Sequence, residues 1–156
     1  MNKIYQKTYK ERKQYINHAE IKCEEYLKSK NISFVHFGWT DEIKNNMDIF
    51  SGFLNFDNKL RKQPDFLIYN KNFHFIECKS FDNQDFFRLK ECDKDAYKYW
   101  NYFIKLYLFI YSHKKNIYKI IELNKLLEIL PDCITEKMPD NKQPYKLIPL
   151  NKLYKL

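Results

Sequence analysis

A chain of 156 residues can bury one core but not two comfortable ones, so a single domain over 1–156 is expected, with its core at about 9–130 and a tail from 131. Its 44% hydrophobic and 18% aromatic residues exclude a disordered polypeptide, and with only Gly38 and Gly52 the Gly-rich phosphate loops of dinucleotide and P-loop sites are excluded too. A net charge of +8 favours a polyanionic partner, nucleic acid first, although a lysine-rich composition also serves solubility.

Residues 9–30 read as one amphipathic helix, because Ile16, Ala19, Cys23 and Leu27 recur at helical spacing while Lys and Glu fill the other side. Asn31 closes it, and the β-rich run ISFVHFGW predicts a short strand before a turn at Gly38. Between Thr40 and Gln63 polar runs mix with Phe50, Phe53 and Phe56, and a short helix with loops is expected. After Pro64, DFLIY and FHFIECK flank Asn70, Lys71 and Asn72, the pattern of a β-hairpin.

From about Asn83 to Phe103 the spacing of Phe86, Leu89, Ala96, Trp100 and Phe103 predicts a second long helix. KLYLFIY and NIYKIIEL then form a strand pair across SHKKN, and NKLLEIL a short helix ending at Pro131. In the tail, only YKLIPL is suited to a sheet, at an edge where proline is tolerated. The expected class is α/β, a mixed central sheet flanked by helices, since hairpin turns are too short for parallel crossovers.

Cys23, Cys78, Cys92 and Cys133 show no metal-ligand spacing, and the four histidines show none either. The opening MNKIYQKTYKERK is charged from its third residue, unlike a signal peptide, and no stretch approaches a membrane span. A soluble intracellular protein with reduced thiols is expected, in the cytoplasm or, if virus-encoded, inside a host cell.

The hairpin carries the chemistry. Alternation puts Phe73, Phe75, Glu77 and Lys79 on one face of its second strand and His74, Ile76 and Cys78 on the other. A tight hairpin returns the chain so that Asp65, at the start of the first strand, lies beside Glu77, near the end of the second. Two such carboxylates suit Mg²⁺, with Mn²⁺ as a substitute, and the backbone carbonyl of Cys78 is a further candidate ligand. Lys79 then stands beside the bound water, where it helps lower that water's pKa or neutralises charge growing on a phosphate. Glu-x-Lys alone is common on solvated strands. Here Phe66, Ile68, Phe73, Phe75 and Ile76 make the strands look buried, where unpaired charges are costly.

Pro64, Asp65, Glu77 and Lys79, with eleven residues between Asp65 and Glu77, resemble the motif of the PD-(D/E)XK restriction-endonuclease-like nuclease superfamily. There Pro-Asp opens one strand and Glu-x-Lys ends the next, and the resemblance covers roughly residues 15–122. It implies a metal-dependent endonuclease that hydrolyses DNA, of restriction, homing, junction-resolving or repair type. A catalytically inactive DNA-binding module on the same fold is the alternative, as is a domain with no nucleic-acid role.

Members of the superfamily often carry a further acidic residue on the first helix. At about 100° per residue from Ile16, Glu20 falls inside the apolar stripe, Glu24 at its edge and Glu25 outside, so Glu20 is the candidate third carboxylate and Glu24 the runner-up. The resemblance also makes Lys90 and Gln84 secondary candidates on the second helix, and Arg61 and Lys62 phosphate contacts. Lys90, Lys94 and Lys98 repeat every four residues, either as a ridge that tracks a phosphate backbone or as a solvated face balanced by Glu91, Asp93 and Asp95. A homodimer is expected to let two sites cut two strands.

Overall fold

The computed structural model describes residues 9–38, 57–81, 85–138 and 142–156. Gln84 and Phe50, Phe53 and Phe56 lie outside them, as does most of the Thr40–Gln63 stretch. Helix α1 spans Tyr9–Ser29 and strand β1 Ser33–His36, followed by a one-turn helix α2 at Asn58–Arg61. Strands β2 (Phe66–Asn70), β3 (Asn72–Phe81) and β4 (Phe86–Lys90) precede helix α3 (Glu91–Phe103). Strands β5 (Leu106–Ser112) and β6 (Ile117–Glu122), helix α4 (Leu123–Ile129), strands β7 (Ile134–Lys137) and β8 (Pro144–Pro149) and helix α5 (Leu150–Leu153) complete the order.

The main sheet runs β1-β2-β3-β5-β6, with β3 and β5 parallel and every other neighbour antiparallel. It is the mixed sheet expected. The helix α1 ends as predicted: Asn31 takes a left-handed φ of 53°, and Ile32 N–H donates to Leu27 O at 3.0 Å, closing the last turn. Lys71 takes the left-handed position, φ 62°, at the tip of the β2–β3 hairpin.

Alternation along β5 divides the core. Leu106, Leu108 and Ile110 point to one face of the sheet, while Phe109 and Tyr111 point to the other. On the second face α1 lays Ala19, Cys23 and Leu27 over Phe66, Ile68, Ile76 and Cys78. On the first, α3, α4 and the chain beyond residue 130 pack together, with Tyr97, Leu123, Leu126, Ile148, Leu150 and Leu153 in one cluster.

Two expectations fail here. Residues Phe86–Lys90 form β4, and the helix starts only at Glu91. The run FFRLK fits both periods, since Phe86 and Leu89 are three apart, yet Phe87 and Leu89 are buried with Arg88 exposed between them, and period two wins once a partner strand is present. That partner is β8, the YKLIP strand, which is no edge: it lies at the centre of a second sheet ordered β4-β8-β7. Its prolines stand at the first and last positions of the strand, so residues 145–148 keep their N–H donors for both neighbours.

The tail is thus part of the core. Replacing fully buried Ile148 by Ala is expected to cost about 2–5 kcal/mol in urea unfolding, against under about 1 kcal/mol if β8 were a peripheral addition.

Candidate active site

The ladder between β2 and β3 stops at Phe66 paired with Ile76. Pro64 has no N–H to continue it, and the Asp65 carbonyl turns instead to β1, accepting from Phe37 N–H at 2.9 Å and Gly38 N–H at 3.3 Å. The Asp65 side chain takes over the β3 edge: its Oδ2 accepts from Cys78 N–H at 2.6 Å. Peptide groups of a strand alternate between its edges, and Phe75 N–H donates towards β5, to Lys105 O. The Cys78 carbonyl therefore faces the Asp65 edge together with its N–H. The Cys78 thiol points away into the α1 layer, where burial and a hydrogen bond with Cys23 push its pKa up. The backbone of Cys78, and not its thiol, faces Asp65.

Glu77 is 6% exposed, a carboxylate in the centre of a sheet. Its Oε1 accepts from Lys79 Nζ at 2.8 Å and from Tyr97 Oη at 2.9 Å. Burial and the Glu77 charge hold the Tyr97 phenol well above its ordinary pKa, so it is a neutral donor. Lys79 lies 5.7 Å from the centroid of the Tyr97 ring and 3.9 Å from Asp93 Oδ2. Burial alone would lower the Lys79 pKa, but Glu77, Tyr97 and Asp93 together raise it well above the usual lysine range.

Asp65 shows the opposite imbalance. Burial, then the neighbouring charge of Glu77, then that of Glu20 push its carboxyl well above the ordinary range, and the Cys78 N–H and Lys79 only partly offset them. Of the two α1 candidates, then, Glu20 is the one within electrostatic reach of Asp65. Glu24 is engaged elsewhere, with Lys28 Nζ at 2.6 Å and His36 Nε2 at 3.8 Å.

The other candidates separate. Lys90 ends β4 and only caps α3, so of the predicted ridge Lys94 and Lys98 alone lie on the helix. Lys94 pairs with Glu91, and Lys98 is exposed. Arg61 is half-buried at the end of α2. Lys62 donates to Asp93 Oδ1 and to Cys92 Sγ, the latter at 3.0 Å.

Sequence reading missed Gly38, Asp93 and Tyr97. A Cβ at Gly38 would stand 3.3 Å from Pro64 O, 3.4 Å from Asp65 Cα and 3.6 Å from Asp65 Oδ1, so glycine suits the close approach of this segment to Asp65. Tyr97 carried a weak signal, a hydroxyl amid the apolar positions of a helix, which when buried requires a partner.

No group of three or more His, Cys, Asp or Glu side chains among the described residues stands in position to hold a metal ion. Side chains alone thus form no complete metal centre there, and the Cys78 carbonyl is the further oxygen donor at the Asp65 edge. Glu20, Asp65, Glu77 and Asp93 outnumber Lys62, Lys79 and Lys90 by one negative charge, and after burial the charges of Glu77 and Glu20 raise the Asp65 pKa. Oxygen donors of this kind match a hard divalent cation.

By sequence, no protein-family model and no curated protein matches the chain. By structure, it is similar to Hjc, a Holliday junction resolvase of Archaeoglobus fulgidus, at 11% identity and a TM-score of 0.51 over 88% of this chain and 85% of that one. It is also similar to D212, a nuclease from a fusselovirus, at 10% identity and a TM-score of 0.52 over 97% of this chain and 89% of that one. Both have the restriction-endonuclease-like fold. This chain has that fold too. In it, the Pro64-Asp65 and Glu77-x-Lys79 elements occupy the hairpin that the motif led us to expect. No helix among the described residues is long and apolar enough to cross a membrane.

The Asp65 imbalance has a thermodynamic consequence. The folded chain holds the Asp65 proton more tightly than the unfolded chain does, so stability is lost as pH rises from the ordinary carboxylate range through the elevated folded value. Asp65→Asn keeps an acceptor for Cys78 N–H and removes the charge. Metal-free Asp65→Asn is therefore expected to melt a few degrees above the wild type at pH 7.5, with the gap closing towards pH 4; a lower melting temperature at both pH values would contradict the charge excess.

Proposed function

We propose that the chain is a divalent-metal-dependent endonuclease that hydrolyses phosphodiester bonds in DNA, with Asp65, Glu77, Lys79 and Glu20 as its catalytic set. The observation that carries this reading is the Asp65 carboxylate held across the edge of β3 by Cys78 N–H, within electrostatic reach of Glu77 and Glu20, with a cationic Lys79 on Glu77. Asp65, Glu77, Glu20 and the Cys78 carbonyl would hold Mg²⁺, or Mn²⁺ in its place. The ion supplies, when bound, a Lewis acid for a phosphate oxygen and an acidified water as nucleophile.

The protein's own groups do the rest. Tyr97 fixes one oxygen of Glu77 and leaves the other for the ion. Cys78 N–H does the same for Asp65. Lys79, kept charged by its surroundings, is suited to neutralising charge that grows on the phosphate, and not to acting as a base. The formal charge of +8 draws in a polyanion. The DNA substrate implies action inside a cell, and a homodimer would bring two such sites to two strands.

Hjc is a Holliday junction resolvase, and its likeness to this chain directs the proposal towards branched DNA. The test is Mg²⁺- or Mn²⁺-dependent cleavage of a four-way junction, duplex, single strand and RNA. The four-way junction is expected to be cut best, with Lys79→Ala lowering kcat by about 10²–10³-fold. Cutting by Lys79→Ala at the wild-type rate would remove the catalytic assignment, and salt-sensitive DNA binding without any cutting would identify a binding module on this fold.

A further inference from the structure

We infer that Asp93 is a positioning residue for Lys79, and that Lys62 holds Asp93 in that role. The inference rests on the proposed hydrolytic site, whose catalytic lysine it concerns. Asp93 lies in the first turn of α3, only 16% exposed, and divides its two oxygens between two cations: Oδ1 accepts from Lys62, and Oδ2 stands 3.9 Å from Lys79 Nζ. Lys79 is held more closely by Glu77, at 2.8 Å. Its ammonium is thus suspended between two carboxylates and beside the Tyr97 ring.

The arrangement matters because Glu77 has a second task. Lys79 already rests on Glu77 Oε1 at 2.8 Å, and with that partner alone it would direct its whole charge at the carboxylate a cation needs. Asp93 draws the ammonium the other way and keeps it at the margin of the site. Asp93 would itself be drawn onto Lys79 were it not occupied from the opposite side by Lys62, whose ammonium also rests on Cys92 Sγ. Burial works to raise the Asp93 pKa, yet Lys79 and Lys62 hold it below the ordinary range, consistent with a carboxylate that stays ionised between them.

Lys62 also has a mechanical connection. It caps α2, which packs on α3 through a hydrogen bond from Trp100 Nε1 to Lys59 O at 3.0 Å and through Lys59 over the Tyr99 ring. Three residues later the chain reaches Asp65. The Lys62–Asp93 pair therefore fastens the segment that carries one metal-binding carboxylate to the helix that orients the lysine and, through Tyr97, the other carboxylate. An Asp in the first turn of a helix also stabilises the helix dipole, and that simpler role predicts a loss of stability with turnover intact.

The experiment compares full-length Asp93→Asn, Asp93→Glu, Lys62→Met and the Asp93→Asn/Lys62→Met pair with the wild type and Lys79→Ala, using four-way junction DNA and saturating Mg²⁺. Asp93→Asn is expected to lower kcat about 10–100-fold, with KM within about twofold. Asp93→Glu should restore most of the loss. The double variant should be no worse than Asp93→Asn, because Lys62 acts through Asp93. Wild-type kcat in Asp93→Asn, a loss confined to KM, or losses that multiply in the double variant would each overturn the inference.

A readout independent of cleavage separates this inference from the nuclease reading. In ¹H–¹⁵N spectra of lysine ammonium groups, the protected Lys79 signal, identified by its absence in Lys79→Ala, should vanish in folded Asp93→Asn and persist in Asp93→Glu. An unchanged Lys79 signal in Asp93→Asn overturns the inference whether or not the protein cuts DNA. A wild type that cuts none of the substrates fails the nuclease reading alone.

Discussion

The hydrogen bond from Cys78 N–H to the Asp65 carboxylate positions the whole of the proposed site. Pro64 ends the backbone ladder between β2 and β3 one pair before Asp65, and the Asp65 side chain replaces the missing strand contact. Had the ladder continued, Asp65 would simply have extended a strand. Because it stops, a carboxylate is bent across the edge of β3, beside Glu77, and the Cys78 carbonyl faces the same opening. Gly38 passes close over the same turn, where an added Cβ would stand 3.3 Å from Pro64 O.

Holding that carboxylate there carries an energetic cost, which the surrounding residues only partly offset. Glu77 is buried and satisfied by Tyr97 and Lys79, whereas Asp65 is left with Glu77 and Glu20 as neighbours of like charge. A protein selected only for stability would have removed one of these acids. Their presence in one place, next to the Lys79 ammonium, is the feature on which the proposed site rests.

Much of this was legible in the sequence, and the reasons are local. The β2–β3 hairpin is written in period-two alternation around Asn70-Lys71-Asn72, and alternation alone aligns Glu77 with Lys79. The helix α1 is regular enough that angular position singled out Glu20 over Glu24. What could not be read depends on partners far along the chain. FFRLK became a strand because β8 lies beside it, about sixty residues away in sequence, and β7 is exposed along its whole length, with no apolar rhythm to announce it. The lysine ridge lost its first member to β4, while Lys94 and Lys98 remain on α3. Asp93 and Tyr97 gained their roles from Lys62, Glu77 and Lys79, contacts that no spacing within α3 records.

Convergence of these carboxylates on a divalent cation is what the proposed function requires. It is tested most directly by soaking crystals of the full chain in Mn²⁺ and measuring anomalous scattering. A peak lying between Asp65 and Glu77, lost in Asp65→Asn crystals, is the expected result. Well-diffracting wild-type crystals in millimolar Mn²⁺ with no peak at these residues would contradict it, and would leave the acidic cluster without its cation.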